Sequence, residues 1–98
     1  MSVVRLIYVT VDPAQAKDAE RIWKNDCAPL MIQQPGCLSE KLLKCVEAPG
    51  EYISYSEWES DDHIDRYRKS EAHEKIKDHT RGLRSGERPV VKRYEIAP

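Results

Sequence analysis

From Val3 to Val11 the chain alternates and is rich in β-branched residues, which predicts a strand that Asp12-Pro13 ends. From Ala14 to about Gln33 the period lengthens. Ala16, Ala19, Ile22, Trp23, Leu30 and Met31 recur at helical spacing and give this segment one apolar face. Asp12 is placed to cap the helix, and Pro13 suits its first turn, where a missing N–H costs little. Pro29 should kink or divide the helix, and Gln34-Pro35-Gly36 stops it. Cys37 to Val46 predicts a second strand, Ala48-Pro49-Gly50 a turn, and Tyr52 to Trp58 a third strand in a hairpin with the second. On that third strand Tyr52, Ser54, Ser56 and Trp58 share one face, and Ile53, Tyr55 and Glu57 share the other. Neither face is plainly polar, so both are expected to be covered.

Ser60-Asp61-Asp62-His63 opens a second helical region, with Ser60 or Asp61 as its cap. Ile64, Tyr67 and Arg68 form its inner stripe. Ser70 is a point of interruption, after which Ala72, His73, Ile76 and Leu83 continue the pattern toward a fraying end at Gly82 and Gly86. Pro89 to Ile96 is the last strand. The order β-α-β-β-α-β is the split βαβ motif, an α+β ferredoxin-like fold with a four-stranded antiparallel sheet and helices on one side. Residues 1–98 leave room for one domain with one modest core. The uncovered sheet face then calls for a second copy of the chain, a homodimer with twofold symmetry.

Composition narrows the partners. Sixteen basic and 17 acidic side chains leave a formal net charge of -1, so there is no basic surplus for nucleic acid. The central strands also lack the basic, aromatic signature of RNA-recognition sheets. No apolar run approaches the roughly 18 residues of a membrane helix. The start, MSVVRLIYVTV, passes directly into strand pattern without the features of a secretory signal, so a cytoplasmic location is expected. Cys27, Cys37 and Cys45 are odd in number and form no CxxC, so a disulfide framework is not expected, and they read as small buried hydrophobes. His63, His73 and His79 are ten and six residues apart, not at one-turn spacing, and no metal site is expected from them. GERPV and EAPGE are turns rather than phosphate cradles, so no flavin or nicotinamide site is expected.

Three stretches carry a family resemblance: Gln34-Pro35-Gly36 before the second strand, SEWES at 56–60, and YRKSEAH at 67–73. A strand ends in Trp58, an acidic helix start follows, Tyr67 comes nine positions after that Trp, and Ser70-x-x-His73 closes the pattern. Over nearly its whole length the chain resembles the antibiotic biosynthesis monooxygenase-like family of dimeric ferredoxin-like proteins. The resemblance implies a dimeric α/β barrel, with a pocket between sheet and helices. It implies activities that include cofactor-free oxygenation of phenolic polyketide intermediates and hydroquinones, haem breakdown, and the handling of small signalling molecules. The haem-degrading branch uses a first-strand Asn, a helical Trp and a haem-ligating His. Here VVRLIYVTV has no Asn, Tyr67 stands at the Trp position, and the His would fall near Lys77.

Trp58, Tyr67 and His73 are therefore the candidate catalytic residues. An imidazole titrates near pH 6.5 in its ordinary state, which suits His73 to accept a phenolic proton and leave an electron-rich anion for oxygen. The Tyr67 hydroxyl could position a phenolic substrate, and the Trp58 ring could wall a pocket for a flat one. Trp23 reads as core, Tyr8 and Tyr55 as residues of either sheet face, and Arg68 as the ion-pair partner of a nearby carboxylate, with attraction of an anionic substrate as its alternative. The leading expectation is a cofactor-independent monooxygenase for a small aromatic. A related isomerase or haem-handling enzyme, and a non-catalytic dimer that binds a ligand, are the alternatives.

Overall fold

The β-branched run at the N-terminus forms β1, Val3–Thr10, in the computed structural model, which describes residues 2–81 and 89–97. With β2 (Cys37–Lys44), β3 (Glu51–Trp58) and β4 (Val90–Glu95) it makes one antiparallel sheet in the order β2-β3-β1-β4. The helices α1 (Ala16–Ile22) and α2 (Ala28–Ile32) connect β1 to β2, and α3 (Asp61–Arg68) and α4 (Glu71–Thr80) follow β3. This is the expected α+β ferredoxin-like arrangement.

Register decides which residues face the helices. Arg5 lies opposite Ser56 on one side and Arg93 on the other; Ile7 lies opposite Ser54 and Val91; Val9 lies opposite Tyr52. These residues share the inner face, where Tyr52, Ser54, Ser56 and Trp58 are all buried. The other parity, with Tyr8 between Ile53 and Val90, forms the outer face.

The first helical segment departs from expectation at its break. Asp12 Oδ1 accepts from the Ala14 N–H at 2.9 Å and opens a single 3-10 turn, Pro13–Gln15, before α1 begins. The break comes one turn ahead of Pro29, as a π-helical turn over Trp23–Cys27, rather than as a kink at the proline. Pro29 has no N–H to give the Asn25 carbonyl, and its ring crowds that carbonyl. The Ala28 N–H reaches five residues back to Trp23 O, which widens the turn. Beyond α2 the chain reverses at Gly36, at φ +84°, where a side chain would collide with the His63 ring. Gly50, at φ +90°, closes the β2–β3 hairpin, and its carbonyl accepts the Val11 N–H at 2.8 Å.

Two serines set the second helical region. Ser60 Oγ accepts from the His63 N–H at 3.3 Å, so Ser60, not Asp61, is the cap of α3. Ser70 Oγ accepts from the His73 N–H at 3.2 Å and its hydroxyl donates to Tyr67 O at 2.6 Å. One side chain thus closes α3 and opens α4. The expected fraying end, with Gly82, Leu83 and Gly86, lies outside the described residues.

The core falls into two clusters. Val3, Cys27, Met31, Trp58, Ile64, Tyr67 and Ile76 make the larger one, and Val11, Ala19 and Tyr52 the smaller. Among the described residues no helix is long and apolar enough to cross a membrane.

Candidate active site

A cavity of about 320 Å³ lies between the inner sheet face and the helices, where the two core clusters part. Met31, Tyr67 and Ile76 wall it from the larger cluster, and Val11, Ala19 and Tyr52 from the smaller. Ser54 sits mid-strand on its β3 wall, and a side chain that small leaves the space open. Its volume is at the small end of the roughly 300–1,000 Å³ that ligand sites occupy. A second hollow, about 400 Å³, runs past Tyr8, Leu43, Ile53 and Val90, and none of Trp58, Tyr67 or His73 lines it.

Tyr67 and His73 both line the inner cavity. Their rings meet edge to face, with centroids 5.0 Å apart and planes at 75°, because Ser70 turns α4 back against the end of α3. The spacing of six residues would not bring them together on an unbroken helix. Burial pushes the Tyr67 phenol up to about 12, with nearby Arg5 pulling the other way, so it stays a donor at neutral pH. Burial lowers the His73 pKa below its ordinary value, and Arg5, Lys77 and Arg68 lower it further against an opposing Glu74. His73 is therefore a neutral imidazole at pH 7. Its Nδ1 is buried and has no hydrogen-bond partner among the described residues.

Trp58 stands behind Tyr67 rather than on the cavity wall. It is fully enclosed, its ring lies 5.0 Å from that of Tyr67 at 30°, and its Nε1–H donates to Ser56 Oγ at 2.8 Å. It fixes the ring that does line the cavity. Tyr52 closes the opposite end. Its hydroxyl donates to Glu20 Oε2 at 2.6 Å, and burial with that bond pushes its pKa up to about 12.

Arg5 and Ser54 are polar wall residues to which the sequence pattern gave no role. Arg5 is 4% exposed, its guanidinium carbon sits 5.9 Å from the Tyr67 ring centre, and burial lowers its pKa. A lone cation between Val4 and Leu6 reads as a solvent position, yet it shares parity with Val3, Ile7, Val9 and Val11, and that parity is the signal that it points inward. Arg68 and Lys77 also line the cavity.

The remaining candidates sit elsewhere. His63 shares a 2.7 Å hydrogen bond with Ser60 Oγ and lies 3.7 Å from Glu59, away from His73. Among the described residues no three His, Cys, Asp or Glu side chains cluster as metal ligands. Cys27 is buried in the larger cluster, Cys37 packs against it, and burial pushes both thiols up to about 11, far from thiolate reactivity.

A sequence model of the family described as "Antibiotic biosynthesis monooxygenase" matches residues 2–79. The chain belongs to this family. Solved structures share its fold. A candidate antibiotic biosynthesis monooxygenase of Bordetella bronchiseptica has a TM-score of 0.88 at 21% identity, over 99% of this chain and 98% of that one. One from Caulobacter crescentus has a TM-score of 0.84 at 18% identity, over 99% and 91%. A Mycobacterium tuberculosis protein has a TM-score of 0.81 at 17% identity, over 100% and 97%. At these identities the likeness is one of fold. No curated protein matches the chain.

Proposed function

We propose that this antibiotic biosynthesis monooxygenase family member is a cofactor-independent monooxygenase that oxidises a small, electron-rich hydroquinone, anthrone or phenol with O2. The carrying observation is His73, a neutral imidazole with an unpartnered Nδ1 on the wall of a largely apolar, aromatic cavity. With an anthrone, His73 takes a proton from the activated CH2 group and leaves a carbanion delocalised over the rings. That anion gives electrons to O2 and a carbon–oxygen bond forms, making a hydroperoxide. Loss of the second C–H proton with cleavage of the O–O bond gives a ketone and water. One oxygen atom enters the product, the other leaves as water, and every electron comes from the substrate. Tyr67 positions the substrate oxygen through its phenolic O–H, and Trp58 holds Tyr67 in place.

The test is protein-dependent oxygen uptake with a panel of hydroquinones and anthrones, using metal-free protein. His73→Ala is expected to lower uptake at least about tenfold, and Tyr67→Phe to lower it less. Uptake no faster than autoxidation across the panel would refute the reading for these substrates.

The same reading includes a homodimer formed through the outer sheet face. Its support is a row of apolar side chains across all four strands, Leu43, Ile53, Tyr8 and Val90, three of them exposed.

A further inference from the structure

We infer that the cavity takes an organic acid: the ligand carries a fixed carboxylate, and the Arg5 guanidinium is the counter-charge that receives it. The inference rests on the oxygenase reading only for the rest of the substrate, and it adds a permanent negative charge to the aromatic ring.

The observation is a buried cation that has no ion-pair partner among the described residues. Arg5 is almost wholly enclosed, its Nε has no hydrogen-bond partner, and among the described residues no carboxylate forms an ion pair with it. Its cross-strand neighbour shows the contrast. Arg93 is paired with Asp61 at 3.1 Å and Asp65 at 2.7 Å. Asp61 and Asp65 are thus taken up by Arg93, and Glu40, beyond Ser56 on the same inner row with a buried, unpartnered Oε2, forms no ion pair with Arg5 among the described residues. Around the cavity every charged wall residue among those described is basic: Arg5, Arg68 and Lys77. Lys77 has Glu74 at 3.0 Å, and Arg5 has nothing comparable.

An uncompensated buried charge is strongly destabilising unless something offsets it. Water in an empty cavity offsets part of that. A neutral ligand would displace the water and leave the guanidinium without a counter-charge. A carboxylate replaces the water with a charge of the right sign, and its two oxygens match the planar fork of Arg. Ser54 adds a hydroxyl on the same wall. Its Oγ is buried with no partner among the described residues, and it lies opposite Ile7, the next inward residue after Arg5. One guanidinium fork with one hydroxyl suits a carboxylate on a small ring in a cavity of this size.

The experiment compares 2,5-dihydroxybenzoate with its neutral primary amide, 2,5-dihydroxybenzamide, by isothermal titration against the whole protein. The two have nearly the same shape and differ in charge. Wild type is expected to bind the acid at least tenfold more tightly than the amide. Arg5→Met is expected to lose that preference while its melting temperature rises, and Arg5→Lys to retain most of the preference. Equal binding of acid and amide, or no binding of the acid, overturns the inference from wild type alone. Preference persisting in Arg5→Met overturns Arg5 as the counter-charge. Oxygen uptake without acid preference would refute this inference and leave the oxygenase standing. Acid preference without uptake would do the reverse.

Discussion

Arg5 and Arg93 are cross-strand neighbours in opposite circumstances, one facing the cavity without an ion pair among the described residues, the other clasped by two carboxylates of α3. The Arg5 charge acts on His73, which also feels Lys77 and Arg68 on its helical side and Glu74 in the opposite sense. Burial is the largest influence, and the net direction is down. In the unfolded chain His73 takes up its proton near pH 6.5, whereas in the folded protein it does so only at lower pH. The stability linked to His73 is therefore fully present above about pH 6.5 and is lost as pH falls through the folded value. Urea midpoints measured between about pH 7.5 and about pH 5 should fall further in wild type than in His73→Gln. An equal fall in both would mean that His73 titrates as an ordinary surface group. The acid limb of any activity that needs the neutral imidazole should likewise lie below the ordinary histidine range.

At the scale of elements, the site depends on the corner between α3 and α4. Ser70 closes one helix and caps the next, and this brings His73 onto Tyr67. Ser70→Ala should lower stability by about 1 kcal/mol in urea unfolding, as loss of a serine cap does. Oxygen uptake should fall along with it, whereas Ser60→Ala, which removes the α3 cap instead, should weaken stability with a smaller effect on uptake. The strands, the hairpin and the interruption at Ser70 were legible from alternation, turn residues and a serine in mid-pattern. The form of the break near Pro29 was not, because a proline marks a lost hydrogen bond but not which carbonyl the preceding turn will use instead. His73 and Tyr67 were legible as chemistry-bearing residues. Their meeting was not, since it needs the bend. Arg5 was hidden by its charge, although its parity agreed with its apolar neighbours. Trp58 was legible as large and fixed, but only the packing of its ring against Tyr67 from α3 shows that it stands behind the cavity wall.

At the scale of the whole molecule, the outer face carries the case for assembly. Tyr8 sits near the middle of its apolar row, on a central strand. Tyr8→Lys should shift sedimentation from dimer toward monomer, because it places a charge in a row that a partner would have to cover. A dimer that survives both Tyr8→Lys and Leu43→Lys would have to form through another surface. The sheet has a further property, which concerns how it comes to exist. Its first strand is central, and both neighbours are distant from it in sequence: Val3 is opposite Trp58 and Glu95, and Val91 helps to wall the cavity. One of the two paired edges of β1 cannot form until β4 is present. Folding of such non-local pairings is slow, because the loops must close before the contacts compensate for their lost entropy. A chain in which β4 has not docked therefore holds an unpaired β1 edge, and that edge is where misassembly would start.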